Sequence, residues 1–313
     1  MMISEIDGSF YIGTCGYSYP GLPPNGWSGV FYPRRGRRRV DELEFYAGHF
    51  NAVEINSTFY RPASAAMARA WVSKTPADFV FTVKAWQKFT HPAKLGGEAA
   101  ASKEPWEPFD KPDVERFTAG IYPLLETGRL GALLFQYPAS FACDSVNLER
   151  LEVTLSAFDM CPKVVELRHR SWSDRYAETA ALLARSRATW AFIDEPKFAE
   201  SVKQELSARD DLAYLRLHGR NRQKWWNHQD GWERYDYFYQ ADNIRRLAER
   251  LKQLSGNSTQ KKFYVFFNNH ARAQAVANGL MLKMALAPAA ICAIPTSLIE
   301  AFPELANFQN FGG

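Results

Sequence analysis

Ala213-Tyr214-Leu215-Arg216-Leu217-His218-Gly219 is a short, mostly apolar run that ends in polar residues and a glycine. Ile244, Leu247, Leu251 and Leu254 follow at three- and four-residue spacing, and then comes Phe263-Tyr264-Val265-Phe266-Phe267-Asn268. Strand, amphipathic helix, strand in that order predicts two parallel strands joined by a crossover. Working outward, six more runs have the same character: Phe10–Cys15, Ala52–Ser57, Phe79–Lys84, Gly131–Gln136, Val164–Arg168 and Thr189–Asp194. Helical spacing recurs at Leu43, Tyr46, Ala47 and Phe50, at Leu148, Leu151, Leu155 and Phe158, and at Ala180, Leu183 and Arg187. Eight strand–helix units predict an α/β fold, a single (β/α)8 TIM-like barrel. It is read as one domain over residues 1–313 with its core at about 10–285. Long βα loops are expected after strand 1 (about 15–40), strand 3 (about 85–115) and strand 7 (about 220–240).

Composition is ordinary for a globular chain: of 313 residues, 46% are hydrophobic and 23% charged, which excludes a disordered or collagen-like protein. There is no apolar run of about 18 residues, so no membrane span is expected. Glu5 and Asp7 stand where a signal peptide would be apolar. Cys15, Cys143, Cys161 and Cys292 lie far apart without a C-x-x-C, which argues against a disulfide scaffold or a structural zinc site and for a cytoplasmic location. The net charge of +4 becomes −1 when Arg34, Arg35, Arg37, Arg38 and Arg39 are set aside. The basic character is therefore local: a phosphate contact, or a solvated loop.

Strand parity places Glu54 with Asn56, Thr82 with Lys84, Glu166 with Arg168, and Arg216 with His218 on shared faces. Gln136, Asp194 and Asn268 close three other strands. Polar residues at the carboxyl ends of parallel strands are the pattern of a barrel active site. Glu54 and Glu166 are candidate proton-transfer groups, and His218 is the candidate general acid/base. Lys84, Arg168 and Arg216 suit an anionic group. Asn56, Gln136, Asp194 and Asn268 are candidate substrate contacts. The competing reading makes the charges a structural ion-pair network. His218 with Glu166, Asp194 and Asn268 is an alternative divalent-metal set, opposed by the nearby cations. His91 and His169 follow strands three and five as loop histidines. Cys15 closes the first strand, and no paired base for it is identifiable.

Seven aromatic residues (Trp225, Trp226, Trp232, Tyr235, Tyr237, Phe238 and Tyr239) fall in positions 221–240. They form a lid over a flat ligand, or rings that pack the loop onto the fold. No Walker or dinucleotide loop and no G-x-S-x-G elbow is present.

The chain resembles the DUF72 (YecE-like) family of uncharacterised TIM-barrel proteins. The resemblance rests on Gly13-Thr14-Cys15-Gly16-Tyr17-Ser18-Tyr19, Phe31-Tyr32-Pro33, Val53-Glu54-Ile55-Asn56-Ser57-Thr58-Phe59-Tyr60-Arg61, Leu133-Leu134-Phe135-Gln136-Tyr137-Pro138, Glu166-Leu167-Arg168-His169, Leu217-His218-Gly219-Arg220 and Phe267-Asn268-Asn269. Cys15 stands where members commonly carry Ser, and His270 where an acidic residue is frequent. The resemblance implies the barrel and no activity.

The expectation is an enzyme of hydrolase or isomerase type that takes a small anionic or polyhydroxylated substrate and needs no organic cofactor. A nucleic-acid-binding protein using the Arg34–Arg39 loop and the 221–240 loop is the alternative, and a barrel that binds a metabolite without chemistry is the third.

Overall fold

The computed structural model describes residues 10–34, 40–92, 106–206, 211–256, 261–287 and 293–309. In chain order the strands are β1 (Phe10–Thr14), β2 (Ala52–Ile55), β3 (Val80–Lys84), β4 (Leu130–Gln136), β5 (Lys163–Glu166), β6 (Ala188–Trp190), β7 (Phe192–Asp194), β8 (Leu212–Leu217) and β9 (Lys262–Phe267). The helices are α1 (Glu42–Ala47), α2 (Ala65–Ser73), α3 (Lys111–Glu126), α4 (Ser145–Ser156), α5 (Arg170–Asp174), α6 (Tyr176–Arg185), α7 (Ala241–Ser255), α8 (Gln274–Leu286), α9 (Thr296–Ala301) and α10 (Glu304–Gln309).

The strands lie in two sheets, ordered β1-β9-β8-β7 and β2-β3-β4-β5-β6, and the registers β1–β9, β8–β9, β3–β4, β4–β5 and β5–β6 are all parallel. The alternating pattern thus gives a parallel α/β fold. Nine strands are described, in two sheets, where eight in one ring were expected, and the pairing by itself does not show a closed barrel. The extra strand comes from the Thr189–Asp194 run. Ala191 donates to Val165 O at 2.9 Å, and its carbonyl accepts from Gln204 Nε2 at 2.8 Å. Three residues on, Asp194 O accepts from His218 N at 2.8 Å. The ladder lapses at Ala191, where the backbone carbonyl is taken by a side chain and not by a neighbouring strand, and this separates β6 from β7.

The chain divides into two compact units. One comprises Met1–Glu54, Ile193–Pro196 and Ser207–Gly313; the other comprises Ile55–Phe192 and Lys197–Leu206. In the first, Ile12, Phe50, Val53, Phe263 and Val265 are fully buried. Tyr46 OH accepts from Thr14 N at 2.8 Å and lies 3.2 Å from Ala52 O. Position 13 admits only glycine, because a Cβ there would come within 2.0 Å of Ala52 O. In the second, rings of Phe89, Phe117, Phe135 and Phe158 pack with neighbouring centroids 5.0–6.0 Å apart. Each such buried ring contributes about 1.5–3 kcal/mol relative to exposure. Arg129 fastens the residue before β3 to α2 by donating to Phe79 O at 2.9 Å and Val72 O at 2.8 Å.

Four helices start at the acceptors that chain chemistry favours. Asp41, Ser64, Asp110 and Asp144 each cap a first turn through the side chain, and Asp110 forms a reciprocal capping box with Asp113. The long connections follow β1, β3 and β8 as expected, and all leave from carboxyl ends. Of the five-arginine run only Arg34 is described; Arg35 and Arg37–Arg39 lie outside the described residues. No described helix is long and apolar enough to cross a membrane. Cys15, Cys143 and Cys161 are free thiols.

Candidate functional site at the carboxyl ends of the strands

The expected site residues divide between the units. Glu54, Asp194, Arg216, His218 and Asn268 belong to the first; Asn56, Lys84, Gln136, Glu166 and Arg168 belong to the second.

In the first unit, register sets the arrangement. Gly13, Phe266 and Arg216 are level, as are Thr14, Phe267 and Leu217. The ladder runs one residue further, with Cys15 N donating to Phe267 O at 3.0 Å and Asn268 N to Leu217 O at 2.8 Å. Cys15, Asn268 and His218 therefore form a row, and a parallel bridge joins Cys15 to Glu54. Glu54 is fully buried and Arg216 is 2% exposed. The guanidinium meets the carboxylate through two contacts, Nε to Oε2 at 3.0 Å and Nη2 to Oε1 at 2.8 Å, and Tyr214 OH donates to Oε2 at 2.8 Å. This is the fork geometry in which Arg binds a carboxylate most strongly. Arg216 also lies 3.7 Å from Cys15 Sγ. Burial, and then the Glu54 charge, push the Cys15 thiol well above its ordinary range, so it is a poor nucleophile at neutral pH.

His218 is 2% exposed, and its Nδ1 lies 2.9 Å from Asn268 Nδ2. With the amide nitrogen donating, the neutral imidazole carries its proton on Nε2. Asp194 is held by Arg220, with Nε to Oδ1 at 2.9 Å and Nη2 to Oδ2 at 2.7 Å. His270 is packed between the rings of Tyr19 and Tyr235, with centroids 5.1 and 5.0 Å away, and burial pushes its pKa down to about 4.

The 221–240 segment is fastened from within the same unit. Asn269 Nδ2 donates to Tyr237 O and to Asn278 Oδ1, both at 2.8 Å; Asn278 in turn accepts from Tyr239 N at 3.0 Å and donates to Tyr239 O at 2.8 Å. Trp225 and Tyr239 are buried, whereas Trp226 is 52% exposed.

In the second unit, Gln136 and Glu166 are level, and Lys84 is level with Leu134 and so with Val164. Lys84, Gln136 and Glu166 thus share one face of the sheet. Glu166 is fully buried, and Arg168 Nε lies 3.6 Å from its Oε1. Lys84 Nζ lies 3.9 Å above the ring of Phe59. His91 packs edge-on against the same ring at 4.8 Å. Burial, and then the charges of Lys84 and Arg168, push the His91 pKa down to about 3 against the opposing pull of Glu166. It is neutral at physiological pH. Asn56 Oδ1 is buried and accepts no hydrogen bond among the described residues. His169 accepts from Ser171 N and caps α5. Among the described residues no group of three or more His, Cys, Asp or Glu side chains is arranged to hold a metal ion.

Sequence reasoning missed Tyr214, Arg220, Asn269 and Asn278 as parts of these clusters. Parity would have found Tyr214, which shares a face of β8 with Arg216 and His218.

The family model described as "Protein of unknown function DUF72" matches residues 11–298. The chain belongs to this family. Among DUF72 relatives, UPF0759 protein YunF of Bacillus subtilis (strain 168) is 31% identical over 273 residues, which cover 83% of this chain and 92% of the relative. A DUF72 family protein of Thermotoga maritima, known from a crystal structure, superposes with a TM-score of 0.71 at 34% identity, covering 88% of this chain and 98% of that one. A DUF72 family protein of Enterococcus faecalis superposes with a TM-score of 0.72 at 22% identity, over 88% of this chain and 95% of that one. The Enterococcus likeness shows a shared fold.

Proposed function

We propose that the protein is an enzyme that performs acid–base chemistry, a hydrolysis or an isomerisation, on a small anionic or polyhydroxylated substrate at the carboxyl ends of its parallel strands. The observation that carries this reading is the group of Lys84, Arg168 and Glu166, with His91 kept neutral by burial and by the two cations. Lys84 supplies a point charge and Arg168 a fork for the anion. Glu166 transfers the proton. Gln136 orients the substrate, and so does the Asn56 carboxamide oxygen, which suits a substrate hydroxyl. In the first unit, taken by itself, His218, set by Asn268, is the proton-transfer candidate and Asp194 the substrate-contact candidate. Glu54, engaged on both oxygens by Arg216 and Tyr214, acts by positioning Arg216. The reading needs no organic cofactor and places the enzyme in the cytoplasm, in keeping with the free thiols of Cys15, Cys143 and Cys161.

The test is a thermal-shift panel of phosphorylated sugars, nucleotides, carboxylates and short oligonucleotides. A ligand at 100 times its Kd stabilises by about 2.7 kcal/mol. A shift from a small anion that disappears in Lys84→Ala and Arg168→Ala supports the reading. A shift from oligonucleotides alone, fading with salt, replaces it with nucleic-acid binding.

A further inference from the structure

We propose that Arg220 is the residue with which the first unit grips an oxyanion, the carboxylate or phosphate of a small-molecule substrate, through the guanidinium edge that Asp194 leaves unused. This rests on the reading of the protein as an enzyme for small anionic substrates and adds a contact to it.

Four observations converge. First, Arg216, the cation that strand position singles out, is 2% exposed and its fork is closed on Glu54. Arg220 lies two residues beyond His218, and its side chain is 47% exposed. Second, Arg220 engages Asp194 through Nε and Nη2 alone. Its Nη1 edge meets no acceptor among the described residues. A guanidinium has five N–H donors in a rigid fork, so one edge can be fixed by a carboxylate while the other presents donors to a ligand. Third, the side chain is propped from beneath, with the guanidinium carbon 5.7 Å from the centroid of the Tyr239 ring. Tyr239 is itself held by Asn278 on its backbone and accepts from Gly219 N at 2.9 Å. Fourth, the turn that aims Arg220 is one that only glycine fits. Gly219 sits at φ +88, and a Cβ there would meet Tyr237 Cβ at 2.8 Å.

The chemistry follows from the order of these contacts. Arg loses much rotamer freedom when it binds a ligand, and that loss subtracts from affinity. Here Asp194 and Tyr239 have already restricted it, so an arriving oxyanion finds oriented donors rather than a mobile side chain. The Asp194 carboxylate also balances the charge, which leaves the site selective for geometry more than for net charge. His218 precedes this fork on the same strand end, so an anion seated on Nη1 lies on the strand end that bears the imidazole.

The test measures saturable binding of inorganic phosphate and of acetate at fixed ionic strength, by calorimetry or chemical-shift titration. The proteins are the wild type, Arg220→Ala, Arg220→Lys, Asp194→Asn and, in parallel, Lys84→Ala. Arg220→Ala weakens one of the two anions at least about 10-fold, and Arg220→Lys, which keeps the charge without the fork, about 3- to 10-fold. Asp194→Asn is decisive. It makes the chain more positive, so a simple charge effect tightens anion binding, whereas loss of an oriented guanidinium weakens it about 3- to 10-fold. Equal or tighter binding in Asp194→Asn, unchanged binding in Arg220→Ala, or no saturable binding by the wild type overturns the assignment. Binding lost in Lys84→Ala but intact in Arg220→Ala sinks this inference and leaves the proposed function standing. Binding of neither anion by the wild type, with no shift in the wider panel, sinks both.

Discussion

Arg216 holds Glu54 by two parallel contacts of 3.0 and 2.8 Å, in a place where neither side chain is more than 2% exposed. Taking two such charges out of water costs several kcal/mol each, and only near-ideal geometry offsets it. The fork, the Tyr214 hydroxyl and the Cys15 contact supply that geometry. Removing one partner therefore leaves a buried, uncompensated charge. Arg216→Ala and Glu54→Gln are each expected to lower unfolding free energy by about 3–5 kcal/mol in urea titrations. The double variant Glu54→Gln/Arg216→Ala should lose less than the two single losses combined, and full additivity would show that the pair is not coupled.

Acid should weaken the fold through its histidines. His91 and His270 are held near pKa 3 and 4, and His49 is also lowered, in each case first by burial. The unfolded value is about 6.5, so between there and the folded values the unfolded chain binds more protons. Stability is then present in full above about pH 6.5 and falls as the pH drops, by up to about 1.4 kcal/mol per unit for each histidine. Urea midpoints between pH 4 and 7 read this slope, and His91→Gln should reduce it by one proton. A flat profile would refute it.

Lys84→Met should raise the His91 pKa, because Lys84 is the largest charge holding it down after burial. Titration of the imidazole by NMR in folded protein checks the direction. An unchanged or lower value would mean that Lys84 does not act on this ring.

Gly219→Ala should cost about 1–2 kcal/mol for the left-handed backbone alone, plus the displacement of Tyr237. The added methyl should also free the Gly219–Tyr239 contact and speed amide exchange at Gly219. Wild-type exchange in the variant would contradict the packing described.

Asn278→Ala removes the side chain that pairs both backbone groups of Tyr239. Leaving buried polar groups unsatisfied costs about 1–3 kcal/mol each. Limited proteolysis should then cut within residues 221–240 before any other described segment, where the wild type resists.

The alternating strands and helices were legible because their periods differ, and the polar strand ends were legible because each interrupts an apolar run. Helix ends were not. Phe50, Phe158 and Arg187 keep the spacing of α1, α4 and α6 yet fall beyond them. Phe50 and Phe158 do so because side-chain spacing reports a buried face and not where the backbone ladder stops; Arg187 is exposed and stands at φ +50, outside the helical region. The break at Ala191 was invisible for a similar reason. Thr189-Trp190-Ala191-Phe192-Ile193-Asp194 reads as one run, and only the capture of the Ala191 carbonyl by the Gln204 side chain divides it. Parity put Glu54 among three candidate cations but carries no distance, so the choice of Arg216 required the register. Asn278 gave one unused signal, a carboxamide amid the otherwise apolar stretch Ala275–Leu282 of α8, where it is fully buried.

The pairing of Phe10 with Phe263 has a consequence for synthesis. Emergence of β1 and β9 from the ribosome is separated by about 250 residues, roughly 12–50 s at 5–20 residues per second. Unit two, whose main segment Ile55–Phe192 is continuous, emerges within that interval. Until β9 arrives, β1 carries an unfilled row of backbone donors and acceptors, the kind of edge that recruits strands from other chains. Prematurely terminated products lacking residues beyond about 262 should therefore be the aggregating species in cells, and chaperone capture of nascent chains should peak in that window.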